Sequence, residues 1–476
     1  MKLGQIIKES EVSRGGFDAS VEINAPRDDS RKVSSGDVFF SVDGCHVGDA
    51  VAAGAKVIVC KSGTKCKEQT GVTNIYVDDV RHAYALACQR YRGCPGGKMK
   101  LIAVTGTNGK TSTTMILRSI LEYAGHKTGL IGTIGNFIGK TRFDTSYTTP
   151  PPDIMADLLE KISADGAEYV VMEASSHALD QRRLDGLHFD VGIFTNLTRD
   201  HLDYHKSIDA CAEAKARLFE MCDNSVINLD DAHAKEMAWH ALSNVWYCSK
   251  IDKNAEFFAD DEYVGMSRLA FSLHHAGGTT KISSSLTGGF YIYNVMFAVA
   301  AAILLGVDAE VASKAVAAFS GVDGRMETFA IGGATAVIDY AHTPDALEKA
   351  LLTLRPLTCG KLTALFGCGG ERDSGKRRIM GEIAAKYADV VLLTSDNPRS
   401  EDVRDIIDEI AQGVPSGKTL IKIPDRAEAI TAALASLCDG DAVLIAGKGH
   451  EDYLIDSRGK HHFSDREQVR MFIDKG

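Results

Sequence analysis

The sequence predicts an α/β protein of three domains built on mainly parallel sheets. Short apolar runs of strand length alternate along the chain with stretches of helical periodicity. Its 476 residues give room for about three domains of ordinary size. Two glycine-bearing junctions, Gly93-Cys-Pro-Gly-Gly97 and Gly321-Val-Asp-Gly-Arg-Met-Glu327, divide it. The expected boundaries are 1–98, 99–325 and 326–476.

In the first part, Asp37-Val-Phe-Phe-Ser-Val42 and Lys56-Val-Ile-Val59 read as strands among helices. The second part opens on Leu101–Val104, a buried strand running straight into Thr105-Gly-Thr-Asn-Gly-Lys-Thr111. Gly106 and Gly109 let this backbone turn its N–H groups toward anionic oxygens, with Thr107 and Asn108 between them. Lys110 is placed to reach terminal phosphates and Thr111 to offer a hydroxyl to Mg²⁺. A helix from 109 follows, with Ile116, Leu117, Ile120 and Leu121 on one face and a stop at Gly125. Its N-terminus favours anions. Val104 stands where the usual phosphate-loop pattern has its first glycine, so this loop is a shortened variant. Further strands are expected at Tyr169–Met172, Val191–Phe194, Leu362–Phe366, Val390–Leu393 and Ala442–Ala446. The apolar stretch Val295–Val307 is too short to span a bilayer and suits a core helix.

Composition narrows the function classes. Hydrophobic residues make up 45% and charged residues 25%, as in ordinary globular enzymes. A net charge of −11 argues against non-specific nucleic-acid binding. The 11 cysteines form neither a metal-like pair nor a secreted framework and read as reduced, mostly buried thiols. The first residues hold no apolar signal core, so a cytoplasmic protein without membrane insertion is expected.

In parallel sheets ligands bind beyond the carboxyl ends of strands. Polar clusters sit at just such places: Glu173-Ala-Ser-Ser-His177, Thr195-Asn-Leu-Thr-Arg-Asp-His201, Gly367-Cys-Gly-Gly-Glu-Arg-Asp373, Asp396-Asn-Pro-Arg399 and Gly447-Lys-Gly-His-Glu451.

Together these residues resemble the Mur ligases of bacterial cell-wall synthesis, over essentially the whole chain. The phosphate loop is common to a wider group that includes folylpolyglutamate synthases. The combination of Glu173-Ala-Ser-Ser-His177, Asp339-Tyr-Ala-His-Thr-Pro-Asp345 and Asp396-Asn-Pro-Arg399 is much narrower. The resemblance implies an N-terminal domain for a UDP-linked substrate, a central P-loop ATPase domain and a C-terminal Rossmann-like domain for an amino acid. It also implies an ADP-forming amide ligase of peptidoglycan precursor synthesis, monomeric by default, using ATP and Mg²⁺. The expected reaction adds meso-diaminopimelate to UDP-N-acetylmuramoyl-L-Ala-D-Glu through an acyl phosphate.

Site residues follow from the same resemblance. Lys110, Glu173, His201 and Lys215 match the catalytic set, with Thr111, Glu173, His201 and Lys215 at metal sites. Lys215, in Glu213-Ala-Lys-Ala-Arg, sits on an expected helix, where physics alone reads a solvated lysine. The resemblance implies that CO₂ carbamylates it, turning a cation into a two-oxygen anionic ligand. Thr113, Asn294, Arg325 and Asp339 join the loop residues around ATP. Asn294 alone would also read as a polar break in an apolar helix. The UDP-linked substrate is expected at Ser30 and Arg31, Thr148 and Thr149, Ser175, Gln181 and Arg183. The stretch after Val42-Asp-Gly-Cys-His-Val-Gly-Asp49 is several residues shorter than in relatives. Arg372, Asp396, Asn397, Arg399, Gly447 and Glu451 are expected around diaminopimelate. There an arginine fork suits the second carboxylate that distinguishes this acid from lysine. His342 and Asp345 take no role. The competing readings are a ligase for lysine or another diamino acid, a folate polyglutamate ligase, and an inactive nucleotide-binding homologue.

Overall fold

A computed structural model describes residues 1–64, 71–198 and 202–475, with the side chains of Leu202 and Asp203 left aside. The chain divides into two compact units. The first comprises Met1–Phe258, His274–Gly278 and Asn294–Ala315; the second comprises Ala259–Leu273, Thr279–Tyr293 and Val316–Gly476.

The first unit holds two sheet systems. A 5-stranded sheet near the N-terminus includes the parallel neighbours Pro26–Arg27, Val38–Phe40, Val57–Lys61 and Thr73–Val77. Asp37 ties its edge by accepting hydrogen bonds from the backbones of Ala25 and Ser34. The helix Val80–Tyr91, started by Asp79, covers one face through Val80, Ala83, Tyr84 and Ala87.

The larger sheet places Lys100–Thr105 at its centre, between Tyr169–Glu173 and Phe189–Phe194, all parallel. Thr128–Gly132 lies beyond Tyr169–Glu173, and Cys222–Asn228 beyond Phe189–Phe194, also in parallel. These strands are almost wholly buried, as expected where helices cover both faces. The helix Lys110–Tyr123 buries Ile116, Leu117, Ile120 and Leu121 completely, the face foreseen from their spacing. Phe290–Leu304 is a helix whose run from Val295 to Ala302 is fully buried, so the apolar stretch is core. Among the described residues no helix is long and apolar enough to cross a membrane.

The second unit contains a 6-stranded sheet. Glu327–Ile331 is its antiparallel edge, followed by Ala334–Asp339, Ala442–Ala446, Leu362–Phe366, Val390–Leu393 and Thr419–Lys422 in parallel. Ala336, Ile338, Leu365, Ile430, Val443 and Val469 pack its core. Every strand foreseen above is present. One described cysteine departs from expectation, since Cys60 is disulfide-bonded; the others are free thiols, with Cys88, Cys211, Cys222, Cys248 and Cys368 buried and Cys45, Cys94, Cys359 and Cys438 exposed. Cysteine spacing carries no information on which thiol a fold brings beside another.

Candidate active site

Gly109 caps the 14-residue helix Lys110–Tyr123 in a left-handed conformation, φ +88°, so the loop delivers its N–H groups at the helix N-terminus. The loop is strapped to the chain leaving the strand Phe189–Phe194. Asn108 N–H donates to Asn196 Oδ1 at 3.0 Å, while Thr195 Oγ1 donates to the Asn108 carbonyl at 2.6 Å. Thr107 N–H donates to the Asn196 carbonyl, and its hydroxyl accepts from Thr198 N–H. Lys110 Nζ lies back over the loop, donating to the carbonyls of Gly106 at 2.8 Å and Thr107 at 2.9 Å. Asn294 closes the other side: a Cβ on Gly109 would fall 2.5 Å from Asn294 Oδ1. This contact places Asn294 at the loop rather than merely at a break in a helix. Thr113 is fully buried beneath the loop, its Oγ1 without a hydrogen-bond partner among the described residues.

The close packing makes a prediction. A Cβ on Gly106, at φ +141°, would lie 1.9 Å from Thr195 Oγ1, so Gly106→Ala should displace the strap and abolish ATP binding in a titration. Gly125→Ala also meets a left-handed φ but open space. It should bind ATP normally at a cost of about 1–2 kcal/mol in stability.

At the end of the neighbouring strand Glu173 is 1% exposed. Its carboxylate accepts from Thr111 Oγ1 at 3.0 Å, Thr133 N–H at 2.8 Å and Thr133 Oγ1 at 3.0 Å. Gly132 leaves the needed room, since a Cβ there would sit 2.6 Å from Glu173 Oε1. All these donors are neutral, so a buried anion stands in a pocket of hydroxyls beside the phosphate loop. Hard oxygens in that arrangement suit Mg²⁺. Among the described residues no group of three or more His, Cys, Asp or Glu is gathered as a metal site. His201 lies outside the described residues.

The residues expected at the UDP-linked substrate form a linked set next to Glu173. Thr149 Oγ1 donates to the Glu173 carbonyl at 2.7 Å and accepts from Ser175 N–H at 3.0 Å. Thr148 Oγ1 lies 3.0 Å from Thr133 Oγ1. Arg183 donates to the Thr149 carbonyl at 2.8 Å and, through Nε and Nη2, to Gln181 Oε1. Burial pulls the Arg183 guanidinium below its ordinary value. Ser30 sits on a different element, the 3-10 turn Ser30–Lys32 capped by Asp29. There Arg31 grips Asp29 in two hydrogen bonds and holds that carboxyl down at about 2. Lys215 closes the helix Ile208–Ala216, which packs on the helix Ser176–Asp180. Lys215 is 2% exposed, which excludes the solvated reading.

The second unit gathers the remaining residues. Asp339 accepts from the N–H groups of Met326 and Ala341, both at 2.9 Å, and so fixes the turn that carries Arg325. The Arg325 guanidinium lies over the Tyr340 ring at 4.8 Å. Burial raises the Asp339 pKa, and the Arg325 charge opposes that rise. Asp396, Asn397, Arg399, Gly447 and Glu451 come together at the carboxyl ends of Val390–Leu393 and Ala442–Ala446. Asn397 Nδ2 donates to Glu451 Oε2 at 3.1 Å. Gly447, at φ +115°, brings its backbone against Asp396 Oδ2. Arg399 adopts a left-handed φ of 55° and donates from Nη1 to the Gly370 carbonyl at 2.7 Å. Arg372 is exposed on the adjoining loop, with its Cγ beside Gly369. His342 Nδ1 lies 2.8 Å from the Tyr340 carbonyl, and Asp345 pairs with Lys349 one helical turn on.

Several residues of these sites escaped the sequence reading. Thr195, Asn196 and Thr198 lay in a flagged cluster, but nothing in it marked them as the strap. Thr133 ends the run Gly129-Leu-Ile-Gly-Thr133, a strand-to-loop junction of the same kind as those singled out. Tyr204 bridges Asp180 and Gln181, donating to Asp180 Oδ2 at 2.7 Å and accepting from Gln181 Nε2 at 3.2 Å. Lys448 is wholly buried between Asn397 and Glu451, and Arg426 and Asp465 form a buried pair beneath them. For Arg426 and Asp465 no local signal exists.

Two family models match the chain: the Mur ligase middle domain over residues 104–302, and the Mur ligase glutamate ligase domain over residues 324–449. A UDP-N-acetylmuramoyl-L-alanyl-D-glutamate–2,6-diaminopimelate ligase of Clostridium tetani is 37% identical, with all of both chains covered. One of the same name from Synechococcus elongatus is 40% identical over 94% of this chain and 93% of its own. A solved structure of such a ligase superposes with a TM-score of 0.75 at 33% identity, covering 100% of this chain and 99% of that one. At 19% identity, the MurF ligase of Thermotoga maritima in complex with ADP shares the fold, with a TM-score of 0.58 over 96% and 98% of the two chains. The phosphate loop, the Glu173 pocket and these matches lead to one conclusion: the chain belongs to the Mur ligase family.

Proposed function

We propose that the protein is an ATP-dependent ligase that adds meso-2,6-diaminopimelate to UDP-N-acetylmuramoyl-L-Ala-D-Glu in peptidoglycan precursor synthesis. The observation that carries this reading is the continuous set of hydrogen bonds from Thr111 through Glu173 and Thr149 to Arg183. It joins the phosphate loop to the residues assigned to the UDP-linked substrate.

The chemistry follows from the groups present. A carboxylate does not condense with an amine unaided, because hydroxide leaves poorly. Transfer of the γ-phosphoryl group of ATP to the carboxylate gives an acyl phosphate and ADP. Attack by the neutral amine gives a tetrahedral intermediate, which loses a proton from nitrogen and expels phosphate to leave the amide. The carboxylate, the γ-phosphate and the departing diphosphate are all anionic, so fixed positive charge and positioning are what the protein must supply. The loop N–H groups and Lys110 provide this charge, and Thr148, Thr149, Ser175, Gln181 and Arg183 orient the carboxylate donor. Thr111 and Glu173 would hold Mg²⁺, which when bound neutralises phosphate charge. Lys215 as a carbamate, with His201, is proposed for a second ion, and the burial of Lys215 supports that role. Asn294 is assigned to the nucleotide side of the loop, and Arg325 and Asp339 are assigned to ATP. Arg372, Asn397, Arg399 and Glu451 are assigned to the amino acid, with the arginines on its distal carboxylate and Glu451 on its distal ammonium. The proposed domains are 1–98, 99–325 and 326–476.

The test is phosphate release with ATP, Mg²⁺ and UDP-N-acetylmuramoyl-L-Ala-D-Glu, comparing meso-diaminopimelate with L-lysine. Release should depend on diaminopimelate. Arg399→Ala should raise its KM by roughly 100-fold, the loss of a charge-assisted bidentate contact worth about 3 kcal/mol. A preference for lysine would retain the reaction and overturn the acceptor assignment.

A further inference from the structure

We infer that Lys448 is a positioning and charge-balancing residue of the amino-acid pocket, which makes the pocket select a diamino acid of net charge zero over a cationic one. This rests on the assignment of that pocket to the acceptor amino acid.

A lysine side chain with no exposure needs partners, because an unpaired ammonium out of water costs several kcal/mol. Two N–H groups of Lys448 have hydrogen-bond acceptors, and the ammonium faces a carboxylate as well. Nζ donates to Asn397 Oδ1 at 3.2 Å and to Glu451 Oε2 at 3.4 Å, and lies 3.6 Å from Asp396 Oδ1. Asp396 Oδ1 is buried and has no hydrogen bond, so the ammonium is the charge it faces. The Tyr453 ring stands 5.5 Å from Nζ.

Two consequences follow. The first is orientation. Asn397 Oδ1 accepts from both Lys448 and the Ile455 N–H, which obliges Nδ2 to point at Glu451. The amide therefore cannot flip without losing both bonds, and the Glu451 carboxylate is held in turn. The second is charge. Asp396 and Glu451 bring two negative charges to one pocket. Arg372 and Arg399 are assigned to the distal carboxylate of the amino acid, and Lys448 offsets one of the two negative charges from inside. The buried Arg426 is already matched by Asp465, and the buried Arg377 by Glu401 and Glu409, so they leave the balance unchanged. Diaminopimelate carries two ammonium and two carboxylate groups, net zero, whereas lysine carries one positive charge. Removing the buried ammonium makes the pocket one unit more negative and so favours lysine.

The experiment measures kcat/KM for meso-diaminopimelate and L-lysine, with KM for ATP, in the wild type, Lys448→Met, Asp396→Asn and the double variant. Lys448→Met should move the diaminopimelate-to-lysine ratio toward lysine by about tenfold, as one partly screened charge does at this range. KM for ATP should stay unchanged. Asp396→Asn should move the ratio the opposite way, and the double variant should return it toward the wild-type value. A purely structural lysine would lower both acceptors equally, and the second substitution would not restore the ratio. An unmoved ratio in Lys448→Met overturns the inference. Should that variant not fold, a ratio in Asp396→Asn that is unchanged or shifted toward lysine overturns it equally. A wild type that uses neither amino acid would overturn the pocket assignment along with it, whereas a selective wild type with an unmoved ratio in the variants overturns this inference alone.

Discussion

Lys110→Met should lower the rate of phosphate release by about 1,000-fold, the effect of removing one preorganised charge from a site where negative charge is transferred. The side chain stands at the start of the helix Lys110–Tyr123, where its ammonium reaches the carbonyls of Gly106 and Thr107. Those bonds keep it over the loop proposed to receive the phosphates. Methionine keeps an unbranched chain one atom shorter and without the charge, so the fold should persist. Binding of the UDP-linked substrate should also persist, because Thr149, Ser175 and Arg183 hold one another independently of Lys110. Lys110→Arg should rescue little, since a planar fork is a poor replacement for a compact point charge in a tight loop. The check is steady-state release together with equilibrium binding. A variant within tenfold of the wild type would remove Lys110 from the proposed mechanism.

Arg426→Met should cost about 3–5 kcal/mol of stability, read by denaturant unfolding, because it strands Asp465 as an uncompensated buried charge. Both side chains have no exposure. Arg426 Nε and Nη2 meet the two oxygens of Asp465 at 2.7 Å and 2.6 Å, a bidentate pair. Two further N–H groups go to the Ser395 carbonyl and the Ala446 carbonyl, each at 3.0 Å. Those carbonyls immediately precede Asp396 and Gly447, so one guanidinium staples the two strand ends that carry the proposed acceptor pocket. The double variant Arg426→Met/Asp465→Leu should recover much of the stability, as apolar replacement of a buried pair commonly does. It should not recover affinity for the diamino acid, because the two carbonyls still lack their donor. Stability and KM should therefore separate, and a double variant with normal KM would show that the staple does not shape the pocket.

The residues that were legible in sequence share one property: their chemistry acts locally along the chain. Apolar runs such as Leu101–Val104 and Ala442–Ala446 specify buried parallel strands because every residue of such a strand faces other protein. Gly106, Gly109 and Lys110 declare a phosphate loop because the turn and the charge lie within a few residues of each other. Asp396, Asn397 and Arg399 stood out as a polar cluster after an apolar strand, while their assignment to an amino acid came from the family resemblance. What the sequence could not decide is which distant side chain completes each local feature. Thr195 and Asn196 strap the loop from another strand, Thr133 meets Glu173 across a sheet, and Asp465 meets Arg426 across 39 residues. Lys215 and Lys448 show the difference most plainly. A lysine on a helix or in a glycine loop is ordinarily solvated, and only packing takes these two out of water. The sequence by itself determined the strands, the phosphate loop and the types of residue at the strand ends, through local sterics and hydrophobic patterning. The tertiary structure decided which carboxylates and cations are buried together, because desolvation depends on neighbours that folding brings from far along the chain.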